Sequence, residues 1–161
     1  MAEPGNGEVE IDVNRICGSA ADFKEGYMSL QGEHGSDSGE SQALRPQAGG
    51  LLLLNLNDEV ARLKASEAWE RGDRASKSLV KDRSLNLLLL ILKAGAHLHE
   101  HHIKGPFTVM LMSGSAVFHG GHQDYSLQPG SVVAVDEGII HSAEALEESV
   151  ILITTSMGRA G

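Results

Sequence analysis

The chain has 161 residues, a formal net charge of −9 and a single cysteine, Cys17. That length suits one domain with a tail. The acidic balance, without any lysine- or arginine-rich block, argues against nucleic acid and anionic membranes as partners, and one cysteine excludes an intramolecular disulfide or a thiolate metal cluster.

Residues 1–50 form an acidic, Gly/Ser-rich N-terminal extension. The stretch 32–41, which carries His34, is too polar to bury enough apolar surface to offset chain ordering, and partial disorder is expected. Residues 9–13 alternate Val-Glu-Ile-Asp-Val and could add a strand at a sheet edge or to a partner subunit, and residues 20–30 suit a short helix or turn. The N-terminus lacks the basic and apolar regions of a signal peptide, so a cytoplasmic location is expected. The apolar run at 51–54 is far shorter than the roughly 20 residues a membrane span needs.

Residues 51–161 form the expected domain, with a leader helix over about 56–71 and a barrel over about 78–155. Asn57 is the expected cap, Asp58 and Glu59 suit the positive end of the dipole, and Leu56, Val60 and Leu63 make an apolar face. Gly72 stops the helix. It is expected to pack outside the barrel or on a dimer partner, a lid over the barrel mouth being the alternative. Beyond it come short β-rich runs at 85–92, 107–112, 115–119, 124–127, 131–135, 139–143 and 149–155, each bounded by Gly, Pro, Ser or Asp. Such spacing predicts an all-β protein, an antiparallel sandwich or barrel.

Between the first two runs lies Lys93-Ala-Gly-Ala-His-Leu-His-Glu-His-His. Side chains two apart on a strand share a face, so His97, His99 and His101 are expected on one side and His102 on the other. Residues two apart lie about 7 Å along a strand, close enough for two imidazoles to converge on one ion. Histidine is the commonest metal ligand. His119 and His122 flank Gly120-Gly121 and read as solvated hairpin residues.

Gly130, the strand Ser-Val-Val-Ala-Val, the turn Asp136-Glu137-Gly138, then Ile-Ile and His141 resemble the second motif of the cupin superfamily, with Asp136 in place of proline and Ala145 where the motif ends in Asn. The first cupin motif lies over Gly95, His101, Ile103, Phe107 and Gly114; its first histidine is kept, and Phe107 replaces the usual glutamate ligand. The segments 100–109 and 138–149, with the leader helix and residues 72–80, are similar to small single-domain bacterial cupins of unassigned activity. This likeness spans roughly residues 51–155. It implies a cupin double-stranded β-helix, a jelly-roll barrel preceded by a short helix, with His101, His102 and His141 as site positions.

Together these readings give His99, His101, His102 and His141 as candidate metal ligands, with His97 in an alternative register. The ion would be a divalent transition metal, Zn, Fe, Ni or Cu, which suit imidazole. Ile103 and Phe107 would line the cavity with apolar surface and favour a hydrophobic or aromatic small molecule. Two functions follow: a metal-dependent cupin enzyme, or a non-catalytic cupin that senses or stores a small ligand or a metal. A structural role for His101 and His141 is the third reading. Small barrels often pair to bury more surface, so a homodimer is expected.

Overall fold

A computed structural model describes residues 51–82 and 84–156. The expectations for residues 9–13, 20–30 and 32–41, and Cys17 and His34, lie outside the described residues.

Among the described residues, two short helices lead into nine strands. The helices are α1 (Leu56–Lys64) and α2 (Glu67–Arg71). The strands are β1 (Arg74–Lys81), β2 (Leu85–Leu92), β3 (His97–His101), β4 (Phe107–Ser113), β5 (Ala116–Gly120), β6 (Gln123–Leu127), β7 (Val132–Val135), β8 (His141–Ala145) and β9 (Ser149–Ser156). Two antiparallel sheets form, a five-stranded one in the order β1-β2-β9-β4-β7 and a four-stranded one in the order β3-β8-β5-β6.

The single leader helix expected over 56–71 is broken in two. Ser66 is the reason: its hydroxyl donates to the Leu63 carbonyl and accepts the Trp69 amide, ending one helix and capping the next. The first cap is Asn55 rather than Asn57, with the Asn55 side chain accepting the Asn57 amide. The first strand also begins earlier than the barrel was expected to, at Arg74.

The sheets enclose one core and carry a second outside. Leu90, Leu92, Leu98, Phe107, Leu111, Phe118 and Ile151 are among the residues that fill the space between the sheets. Leu89, Ile91, Ala75, Leu79 and Val150 point the other way, against Leu63, Val60, Leu56 and Trp69 of the helices. Strand β2 is thus covered on both faces, which is why its sequence is an unbroken apolar run instead of an alternating one. The helices pack on the outer face of the five-stranded sheet, as expected, and form no lid. Glu59 anchors them: it is 3% exposed and its carboxylate bridges Arg62 at 2.5 Å and Lys77 of β1 at 2.6 Å. Lys64 adds an ion pair to Glu148, ahead of β9.

A buried histidine pair inside the barrel

Strand β3 does not keep a simple alternation. Leu98 lies opposite Ala143 and His101 opposite His141, so β3 takes three steps where β8 takes two. The extra residue is a β-bulge, and a bulge resets which face the following side chains use. Leu98 and His101 are therefore both buried, while His97 and His99 are exposed. This corrects the expectation that His97, His99 and His101 share a face. The carboxylates Glu100 and Glu144 do not join His101 and His141: Glu100 is exposed, and Glu144 lies opposite His97.

His101 and His141 meet inside, 7% and 5% exposed, with ring centroids 4.2 Å apart. His141 is held from two further sides. Phe107 of β4 packs on it with centroids 4.8 Å apart, and Phe118 of β5 stacks against it at 5.4 Å and 19°. Gly120 is its cross-strand partner. A Cβ there would stand 3.0 Å from Phe118 Cε1 and 3.4 Å from His141 Cβ, so the absent side chain leaves room for the stack.

Each ring is oriented by its own backbone. His101 Nδ1 lies 2.7 Å from the His99 carbonyl and His141 Nδ1 lies 2.8 Å from the Ile139 carbonyl. A carbonyl only accepts, so each Nδ1 carries the proton and donates it, and each Nε2 keeps a free lone pair. Burial pushes the pKa of both rings down, the carbonyl bonds offsetting only part of it; His141 falls from 6.5 to about 4, with His101 and His102 adding to the cost of a charge. At neutral pH the pair is two uncharged acceptors.

The pair lines a cavity of about 30 Å³. Its wall is otherwise almost wholly apolar, including Leu88, Leu98, Ile103, Phe107, Val109 and Phe118, with Ser142 the other polar residue. Phe107 and Ile103 line the cavity as their sequence positions implied. Phe118, Gly120 and Ser142 were not singled out in the sequence; only the strand register, which places Gly120 and Ser142 beside β5 and β8 partners, could have found them. His119 is part of the hairpin, bonded through Nδ1 to Asp124 at 2.7 Å, and His122 is exposed in the turn.

Of the four candidate metal ligands, the fold brings two together. His101 and His141 face the cavity, His99 points outward, and His102 lies half-buried just beyond β3. Among the described residues no three His, Cys, Asp or Glu side chains are grouped so as to hold an ion. Protein sites for catalytic transition metals commonly supply three donors. Among the described residues the cavity thus offers two imidazoles in a hydrocarbon wall, one donor short of such a set.

No family model matches the chain, and no curated protein matches it. Solved structures do. A cupin superfamily protein from Desulfitobacterium hafniense is 21% identical, with a TM-score of 0.51 over 53% of this chain and 78% of its own. A cupin-2 domain containing protein from Shewanella frigidimarina is 18% identical, with a TM-score of 0.53 over 65% of this chain and 94% of its own. A salicylate 1,2-dioxygenase mutant from Pseudoaminobacter salicylatoxidans is 14% identical, with a TM-score of 0.58 over 63% of this chain but 34% of its own. Among the described residues no helix is long and apolar enough to cross a membrane. At these identities the likeness speaks for architecture alone, and the architecture it establishes for this chain is the cupin fold.

Proposed function

We propose that the barrel interior binds a small, uncharged, largely apolar molecule through a hydroxyl group, an alcohol or a phenol, held by the Nε2 atoms of His101 and His141. One observation carries this reading: two buried, neutral imidazoles with both Nδ1 protons already committed to carbonyls, in an apolar cavity. Such a pair offers acceptors without positive charge. A hydroxyl donor satisfies it, whereas a carboxylate would enter without a counter-charge, which is costly in a low-dielectric site. The cavity of about 30 Å³ holds one or two water-sized groups, against roughly 150 Å³ for a site that takes a whole benzene ring. The hydroxyl and its first carbon would therefore sit between the histidines, against the apolar wall.

Binding is favoured over turnover. A general base works best with a pKa near the working pH, and His141, pushed down to about 4, is a weak base at pH 7.

The test is thermal unfolding of the full chain with phenol, benzyl alcohol, benzoate and toluene, beside elemental analysis of the purified protein. Phenol or benzyl alcohol should raise Tm in a concentration-dependent way, benzoate and toluene should not, and His101→Leu/His141→Leu should abolish the gain. A failure of both hydroxyl compounds to stabilise the protein would overturn the reading. So would one transition-metal ion per chain that is lost in the double variant, which would restore the metal-dependent alternative.

A further inference from the structure

The bulge that turns His101 inward leaves His97 and His99 side by side outside the barrel, and we propose that this outward pair is a surface chelating site for a borderline divalent cation such as Ni²⁺, Cu²⁺ or Zn²⁺. The site is separate from the cavity and does not depend on the ligand reading above.

Three observations support it. First, both rings are exposed on the same face of β3, two residues apart, with centroids 5.7 Å apart and planes at 67°. With metal–nitrogen bonds of about 2.0–2.1 Å, two imidazoles on one tetrahedral ion have centroids roughly 5–6 Å apart. The pair therefore stands near chelating separation without backbone movement. Second, the backbone is tied at both residues of the pair. His97 is in register with Glu144 of β8 and its carbonyl accepts from Arg74 at 3.1 Å, while the His99 carbonyl accepts from His101 Nδ1 at 2.7 Å. Once one ring holds the ion, the second nitrogen binds as an intramolecular step. Third, the local charge favours a cation. Glu144 lies across the ladder from His97 and Glu100 follows His99. The nearby Arg74 is held by both carboxylate oxygens of Asp73, at 2.8 and 2.9 Å.

The protein supplies two donors here, and water would complete the coordination. Imidazole donors without thiolate place the preference in the order of first-row ions that rises through Ni²⁺ to Cu²⁺ and falls at Zn²⁺. The site would be one of modest affinity, suited to acquiring an ion from solution.

The test uses the full chain at pH 8 with Ni²⁺ alone, followed by isothermal titration calorimetry and by paramagnetic broadening of the histidine ring signals in NMR. One saturable site is expected, with broadening centred on His97 and His99. His97→Asn and His99→Asn should each weaken binding roughly tenfold or more, since each leaves a single imidazole. Both residues are exposed, so circular dichroism should show unchanged folding. His119→Asn and His122→Asn should leave the affinity unaltered. Binding that survives His99→Asn, that disappears in His119→Asn or His122→Asn, that broadens His101 and His141 instead, or that never saturates would overturn the proposal.

Discussion

Replacing His141 with leucine should flatten the dependence of stability on pH. The imidazole has a pKa of 6.5 when solvated and about 4 in the folded chain. Between those values the unfolded chain binds a proton that the folded chain refuses, so stability rises with pH across this window. The gain is complete above about pH 6.5 and is lost progressively as pH falls toward 4. Each pH unit is worth about 1.4 kcal/mol, so the ring accounts for about 3 kcal/mol between pH 7 and pH 4. That is a large part of a typical domain stability of about 5–15 kcal/mol. Urea unfolding of the full chain and of His141→Leu, at half-unit steps from pH 4 to 8, measures it. The difference between the two curves should slope by close to one proton between pH 4 and 6.5 and level off above. The depressed carboxylates Glu59 and Asp73 are common to both proteins and drop out of the difference. Parallel curves, or a His141 ring titrating near 6.5 by NMR, would refute the argument that burial holds this pair neutral.

Two further outcomes test the scaffold around the site. Gly114 has φ +89°, and a Cβ there would lie 2.2 Å from the Glu148 carbonyl oxygen, whereas Gly138 at φ +77° has nothing within 4 Å. Gly138→Ala should cost only the left-handed backbone term of about 1–2 kcal/mol, and Gly114→Ala clearly more, read from chemical denaturation midpoints; equal losses would mean that the close approach is relieved without cost. Glu59→Gln, which removes the charge that Lys77 and Arg62 surround, should destabilise by about 1–3 kcal/mol at pH 7. Because hydrogen bonding to Lys77 lowers the Glu59 pKa below 4.5, the wild-type advantage should persist above that value and vanish as pH falls through the folded-state pKa, a trend that urea melts at pH 3 and 7 would show.

The strands were legible because their signals are local. The run Leu85–Leu92, closed by Gly95, and the runs ending at Pro129-Gly130 and at Gly138 carry their boundaries in turn residues, and Gly95, Gly130 and Gly138 all adopt positive φ. The leader helix was legible as an apolar face, but its break was not: Ser66 reads equally well as a tolerated interior residue, and only its hydroxyl bonds to Leu63 and Trp69 make it a stop and a start. The first strand was missed for a related reason. Arg74-Ala-Ser-Lys-Ser is polar, and its place in the sheet comes from pairing with Ile91 and its neighbours in β2 rather than from its own composition.

The histidine run shows most clearly where local reading ends. A period of two assigns His97, His99 and His101 to one face, and nothing between Leu98 and His101 announces an extra residue. The bulge is fixed by the partner strand: Ala143 must stay inside opposite Leu98, and His141 must stay inside against Phe107 and Phe118. Two inward positions on β8 are two residues apart, so β3 has to absorb one residue to bring His101 opposite His141. The same extra residue decides the chemistry. Without it three imidazoles would share one face. With it, one joins His141 as a neutral acceptor pair in a hydrocarbon cavity, and two remain outside as an exposed chelating pair. What separates the proposed hydroxyl-binding site from a face of three imidazoles is thus one residue of strand register, a quantity set by tertiary pairing rather than by the sequence of β3 itself.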